Sequence, residues 1–359
     1  MQKNRLIWKS GITLAVCMVL CLPSVAQITG LSDQPERYID RPLTLHSSNM
    51  EFSFGYQFGV LSSIYDNKSN SVSIADAGIA SSSQAANIQF TYGVTENWQV
   101  QAFVNYSYIN TSTAMVAQST GNTVMQTEGI EKISGMFDPE LRMAYLLIGS
   151  DKKLSLSVGG GLTLPVSAHK PDKPEIKYFA GSLDEYRFVY NYRNGAGSMA
   201  YNLNMALKYR FGGTSDNNHS SKLIARLFTD FYTTPGKVST NDWQYVFDAE
   251  NPNDFTYQEL PVKYKKGDWL VNRLYFDYQA YTIASFMFGI SNRLYFHGWK
   301  QTADLKVSEY DVSETAFSVG AHIQASPRLR IDESFTLPVM GKSIRTFFTC
   351  QLSLVYLIQ

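Results

Sequence analysis

The sequence predicts an all-β fold: a transmembrane, antiparallel, up-and-down β-barrel of about 12 strands, with a count between about 10 and about 14 compatible with the pattern. Three observations predict it. Apolar and polar residues alternate along successive segments, the links between segments alternate between long and short, and only 17% of the 359 residues are charged. Because soluble proteins carry about 25% charged residues, the low value indicates surface that does not face water.

The first element is a secretory signal peptide over residues 1–26. Three basic residues precede an uncharged run at 11–22, and the small residues Ser24 and Ala26 predict cleavage before Gln27. The mature chain then carries 28 basic and 31 acidic residues, a formal charge of −3, which does not favour a nucleic-acid partner. Only Cys350 remains after cleavage, so no internal disulfide is expected.

Residues 27–48 form a polar lead, which we expect either in the periplasm or folded into the barrel lumen. Residues 49–359 form the barrel. No mature segment is apolar over the roughly 20 residues that a membrane-spanning helix needs, so a membrane location requires strands.

The first strand covers residues 49–60, NMEFSFGYQFGV. Its even-numbered positions carry large apolar side chains and its odd-numbered positions carry Gly, Ser, Gln and Glu. Alternation with a period of two predicts a strand with one apolar and one polar face. The same alternation predicts strands at 87–94, 98–108, 140–147, 154–164, 199–211 and 348–358, and a weaker form predicts strands at 222–232, 270–281, 286–296, 314–325 and 329–339.

The links favour a membrane barrel over a soluble sandwich. Long links at 61–85, 110–135, 167–196, 233–268 and 297–312 alternate with shorter ones at 95–97, 149–153, 212–221, 282–285 and 326–328; a medium link follows at 340–344. Outer-membrane barrels have tight periplasmic turns and longer extracellular loops. This order places both termini in the periplasm and the barrel in a bacterial outer membrane.

The same parity sorts the side chains by face. The predicted lipid-facing residues are Phe52, Phe54, Tyr56, Phe58, Tyr201, Tyr209 and Tyr356. The predicted lumen-lining residues are Glu51, Asp138, Glu140, Arg142, Lys208, Arg210, Arg226, Asp230, Arg273, Asp277, His322, Arg330 and Asp332. The lumen residues either tune which solutes pass or form ion pairs that fill and stiffen a narrow barrel.

Glu333 does not fit this sorting, because it falls on the lipid-facing parity between Ile331 and Phe335. A charge on the lipid face is destabilising at the bilayer midplane and much less so near the headgroups. We therefore expect a β-bulge that shifts the register there, or a position near the headgroups.

Several short motifs carry a family resemblance. They are RPLTL at 41–45, YGVTENWQV at 92–100, FDPEL at 137–141, LTLPV at 162–166 and LPVMGK at 337–342. Together they resemble bacterial outer-membrane barrels of the family labelled MetA-pathway of phenol degradation, over most of the mature chain. The resemblance implies a small-molecule channel in the outer membrane.

The function expected is passive diffusion of small molecules, with hydrophobic or aromatic compounds as candidate solutes. The alternatives are a non-conducting barrel that presents its loops to a partner and, less favoured, an outer-membrane lipid-modifying enzyme. No motif predicts catalytic residues, a metal site or a cofactor. Expected partners are outer-membrane lipid, the solute and the barrel-assembly machinery.

Overall fold

The structure is a computed structural model that describes residues 41, 43–74, 78–120, 123–149, 153–166, 175–179, 185–193, 198–212, 222–247, 255–296, 298–302, 305–308 and 311–358. The predicted signal peptide and residues 27–40 lie outside the described residues. Among the described residues, no helix is long and apolar enough to cross a membrane.

Twelve of the described strands close into an antiparallel barrel, which confirms the predicted fold class. They are β1 (Met50–Tyr65), β2 (Ile79–Gly93), β3 (Trp98–Thr120), β4 (Glu140–Ile148), β5 (Leu154–Thr163), β6 (Ala200–Phe211), β7 (Leu223–Thr233), β8 (Asp268–Tyr281), β9 (Ala284–Phe296), β10 (Val312–Gln324), β11 (Leu329–Lys342) and β12 (Ile344–Ile358). Each pairs with the next in the chain, and β12 pairs with β1 from Met50↔Ile358 to Tyr65↔Ile344. Closure leaves neither end strand of the barrel unpaired along its length.

The predicted long loops contain further β-structure. Thr123–Met136 pairs with the outer half of β3 and also, in parallel, with Glu185–Arg193, which pairs with Glu175–Phe179. A separate four-stranded sheet comprises Val238–Phe247, Phe255–Lys265, Trp299–Thr302 and Leu305–Ser308, and Ser71–Val72 pairs with the end of β1. The predicted medium link at 340–344 is shorter than expected, because only Ser343, with φ 53°, separates β11 from β12.

The outer face of the barrel is apolar, as the alternation requires. In β1, Phe52, Phe54, Tyr56 and Phe58 are exposed while Gly55 and Gly59 are buried. Tyr201 and Tyr356 are exposed as well, and Tyr209 is half-buried against Phe211, with ring centroids 5.0 Å apart.

One row of polar side chains crosses this outer face over β7 to β10. Thr229, Asn272, Asn292 and Thr315 are paired in sequence across the four strands. The Thr229 hydroxyl donates to Asn272 Oδ1 at 3.0 Å, and the Asn292 amide donates to Thr315 Oγ1 at 3.1 Å. Polar groups in contact with lipid need such internal partners, because hydrocarbon offers none.

Glu333 also lies on the outer parity, and the expected bulge beside it is wrong. The pairing of β11 with β10 and β12 is regular from Arg330 to Thr336. The register shift in β11 lies further along, opposite Thr315 and Ala316. Glu333 pairs with Ala321 and Leu352, so regular pairing keeps its side chain on the outer face.

Candidate functional site

The inward parity encloses a cavity of about 590 Å³ in the lumen. Volumes of this order are typical of small-molecule sites, about 300–1,000 Å³. The charged side chains on its wall include Arg41, Glu51, Lys208, Arg226, Arg273, Arg330 and Asp332, with His322 beside them. Apolar and aromatic side chains complete it: Ile224, Phe228, Tyr275, Met287, Val355 and Leu357.

A belt of ion pairs begins on β7 and runs around the wall. The Arg226 guanidinium donates to both oxygens of Asp277, at 2.7 and 2.9 Å. His322 on β10 links two carboxylates: its Nε2 lies 3.4 Å from Asp277 Oδ1, and its Nδ1 lies 2.7 Å from Asp332 Oδ1. Asp277 is fully buried, so this arrangement supplies the partners that a buried carboxylate needs.

The belt continues across the lumen through the segment before β1. Arg330 donates to Asp332 at 2.8 Å and approaches Glu51 at 4.0 Å. Arg41 donates to Glu51 at 2.8 Å, and Lys208 Nζ donates to the Arg41 carbonyl at 2.5 Å. Because β6 and β1 lie on nearly opposite sides of the barrel, Arg41 connects opposite walls.

Residues 43–48 lie against the end of the lumen at which β1 begins and β12 ends. Leu45 N–H donates to Gln99 Oε1 at 3.0 Å and Ser48 N–H donates to the Gly93 carbonyl at 2.8 Å. Thr44 is only 2% exposed. A Cβ added to Gly93 would lie 2.0 Å from the His46 carbonyl oxygen, so this close approach requires glycine.

A second charged cluster joins β4, β7 and β8. Arg142 donates to Glu140 at 2.7 Å and to Asp230 at 3.1 Å, and it also contacts the Tyr232 hydroxyl. Asp230, only 3% exposed, also accepts from Arg273. The guanidinium of Arg142 lies 4.8 Å from the Phe103 ring centroid.

Two strands carry a square of alternating arginine and aromatic side chains, which we call the Arg–aromatic square. Arg226 on β7 pairs with Tyr275 on β8, and the next inward pair is Phe228 with Arg273. The Arg226 guanidinium lies 5.7 Å from the Phe228 ring centroid, and the Phe228 and Tyr275 centroids are 6.2 Å apart.

Two predicted lumen residues lie elsewhere in the wall. Asp138, which was predicted to line the lumen, lies in the irregular link 137–139 before β4 and is 8% exposed. The negative charge of Asp138 influences the pKa values of Tyr264 and Lys266. Burial raises the pKa of Tyr264 to about 12, and Asp138 adds to this rise. Burial lowers the pKa of Lys266, and Asp138 opposes this fall. Arg210 on β6 is 5% exposed and pairs with Ile224.

The sequence reasoning missed the aromatic residues of the lumen. Phe228 and Tyr275 lie on segments whose alternation is weak, because inward aromatic side chains hide the contrast between the faces. Phe103 is an aromatic residue on the polar parity of the strand predicted at 98–108, and that interruption of the alternation was the available signal. Among the described residues, no group of three or more His, Cys, Asp or Glu side chains is placed to hold a metal ion.

Solved outer-membrane proteins share this fold, although no protein-family model and no curated protein matches the chain. An outer membrane channel from Pseudomonas putida F1 superposes with a TM-score of 0.58 at 13% identity, over 92% of this chain and 100% of that chain. The deltaS2 mutant of TodX, a monoaromatic hydrocarbon channel, superposes with a TM-score of 0.46 at 9% identity, over 87% of this chain and 90% of that chain. CymD, also a monoaromatic hydrocarbon channel, superposes with a TM-score of 0.41 at 12% identity, over 87% of this chain and 88% of that chain. The likeness to the Pseudomonas putida F1 channel, at 13% identity, establishes the fold alone, which is the outer-membrane barrel that the motif resemblance implied.

Proposed function

We propose that the protein is a narrow channel of the bacterial outer membrane through which small molecules diffuse passively. One observation carries the proposal: a closed barrel with an apolar exterior encloses a polar, charged cavity large enough for a small solute. Barrels of 8 strands are filled by side chains and those of 16–18 strands hold open channels, so about 12 strands favours a constricted path.

The segment 41–48 is proposed to restrict the periplasmic end of this path. Its contacts with β1, β3 and β6 support that role. In the same proposal residues 1–26 are a cleaved signal peptide, both termini lie in the periplasm, and the barrel-assembly machinery inserts the chain among outer-membrane lipids.

Two other functions remain alternatives. A structural barrel would use its ion pairs to fill the lumen and its extracellular sheets to bind a partner, and the many satisfied ion pairs fit that reading. A lipid-modifying enzyme would require a catalytic group directed at the lipid interface. The charged clusters described above point into the lumen, which favours the channel over the enzyme.

Liposome swelling tests the channel proposal. Refolded protein in liposomes should admit small neutral solutes such as urea and glycerol and exclude large oligosaccharides, because the path is constricted. The Phe54→Leu variant changes only an exposed outer side chain, so liposomes that carry it should admit and exclude the same solutes as liposomes with the parent protein. A correctly folded barrel that admits no solute would contradict the proposal.

A further inference from the structure

We infer that the lumen binds small aromatic carboxylates, and that the Arg–aromatic square on β7 and β8 is their site. The inference rests on the proposed channel function and extends it by naming the solute class. It requires that a solute in the cavity meets positive charge and an aromatic surface together, and the geometry of the square provides both.

The first step concerns charge. In each of two ion pairs the arginine is more exposed than the aspartate. The Arg273 side chain is 38% exposed and that of its partner Asp230 is 5% exposed. The Arg226 side chain is 16% exposed and that of its partner Asp277 is 0% exposed. The carboxylates therefore lie behind the guanidinium groups. A solute in the cavity meets the positive ends of both pairs.

The second step concerns hydrogen bonding. Asp230 accepts from one terminal nitrogen of Arg273, Nη2, and the Arg273 side chain is 38% exposed, so part of its guanidinium fork faces the cavity. A guanidinium has five N–H donors in a planar fork that matches a carboxylate. A solute carboxylate is the chemical group that would use the remaining donors of Arg273.

The third step concerns the ring. Phe228 and Tyr275 both line the cavity and stand diagonally across the square, with their ring planes tilted by 59°. Side chains directly opposite on paired strands have Cβ atoms about 4.5–5.5 Å apart. A carboxylate on Arg273 would thus place an attached ring beside Phe228 and Tyr275, where edge-to-face or offset contact is favourable.

The rest of the cavity suits the same solute. Ile224, Met287, Val355 and Leu357 give its wall an apolar part that would accept a hydrocarbon ring. An ammonium solute would instead meet the exposed guanidinium groups and be repelled. A purely aliphatic acid would satisfy Arg273 but leave the aromatic pair without a stacking partner.

Block of single-channel current tests this site. Benzoate added to barrels carrying KCl current should block at a concentration about tenfold lower than either benzylammonium or acetate. Arg273→Gln should raise the half-blocking concentration of benzoate about tenfold and leave a conducting, folded channel, because Asp230 keeps Arg142. Phe228→Leu should weaken benzoate block about fivefold and leave acetate block unchanged.

Arg345→Gln is the matched control. Arg345 is an exposed cation on β12, paired with Glu131 at 3.6 Å, and β12 pairs with β11 and β1 and not with β7 or β8. Its replacement should leave benzoate block as in the parent. Equal block by benzoate and benzylammonium, or an unchanged value in Arg273→Gln, would overturn the inference while the current itself upholds the channel. A folded barrel without current would contradict the channel, and calorimetric titration of benzoate into that barrel would still decide the site.

Discussion

Asp277 shows how a charge is tolerated inside this barrel. Its side chain is fully buried, and it accepts two hydrogen bonds from Arg226 while the His322 ring lies 3.4 Å away. Burial of an unpaired carboxylate is costly, so both neighbours are needed to hold it. The belt therefore stabilises the wall as a unit, and removal of one member takes a charged partner from each of its neighbours.

Replacing Asp277 should destabilise the fold strongly. Asp277→Ala leaves Arg226 without its bidentate partner, and breaking a buried pair in this way costs about 3–5 kcal/mol. Urea unfolding in lipid vesicles measures the free energy. Glu314→Gln is the control, because its pair with the exposed Arg293 contributes about 0–1 kcal/mol. Equal stability of the two variants would contradict the role given to the belt.

Glu96 in the turn after β2 predicts a dependence on pH. Hydrogen bonds from the His46 side chain and the Ser47 N–H lower its pKa below the ordinary value of 4.5. A lowered folded-state pKa means that this contact is complete above the unfolded pKa and is lost as pH falls through the folded value. Segment 43–48 should therefore loosen only in acid.

Hydrogen exchange measures this loosening. After correction for intrinsic rates, the Ser47 amide should be protected near pH 6 and should exchange faster as pH falls below about 4.5. In Glu96→Gln the step with pH should disappear and exchange should be fast throughout. A pH step that persists in Glu96→Gln would assign the effect to another group.

The sequence predicted which face of the barrel wall each charged residue occupies, but not which residue it forms an ion pair with. Parity alone places Arg142 and Asp230 inside, because the side chains of a strand alternate between faces. Their contact joins residues 88 positions apart and depends on barrel curvature across β4 to β7. Alternation carries no information on curvature, so the two charged clusters could not be separated beforehand.

At the scale of elements, the strands extend beyond the segments that alternation predicted. β3 was expected at 98–108 but continues to Thr120, and Thr123–Met136 pairs with its outer half. Outside the bilayer there is no lipid to require an apolar face, so hydrogen-bonded strands can continue without alternation. The pattern therefore located the strands of the barrel wall and not the β-structure beyond it.

A substitution of Gly93, at the end of β2, tests whether the segment before β1 is seated in the lumen. Gly93→Ala would place a Cβ against the His46 backbone, so we expect residues 43–48 to leave the lumen while the barrel stays closed. Chymotrypsin should then cleave after Leu45, which is hydrogen-bonded to Gln99 in the parent.

Gly236→Ala is the control for that variant. Its added Cβ would lie 3.3 Å from Ser198 Cβ, away from the segment, so cleavage after Leu45 should stay slow. Rapid cleavage in the parent protein, or none in Gly93→Ala, would show that the segment is not seated as described.

At the scale of the whole molecule, closure makes the lumen. The pairing of β12 with β1 leaves one interior, and Arg41 crosses it between Glu51 and Lys208. The parity of the links predicted this closed sheet, while the position of the segment before β1 was left open between lumen and periplasm. Its polar sequence suits either location, and the contacts of Arg41 and Leu45 place only its described end, residues 41 and 43–48, at the lumen.

Single-channel conductance in planar bilayers tests the central claim, that this lumen is a restricted solute path, most directly. The mature protein should give small, discrete current steps, and a variant lacking residues 27–48 should give clearly larger ones, because the crossing through Arg41 is gone. Folded barrels of both kinds that pass no current would contradict the account.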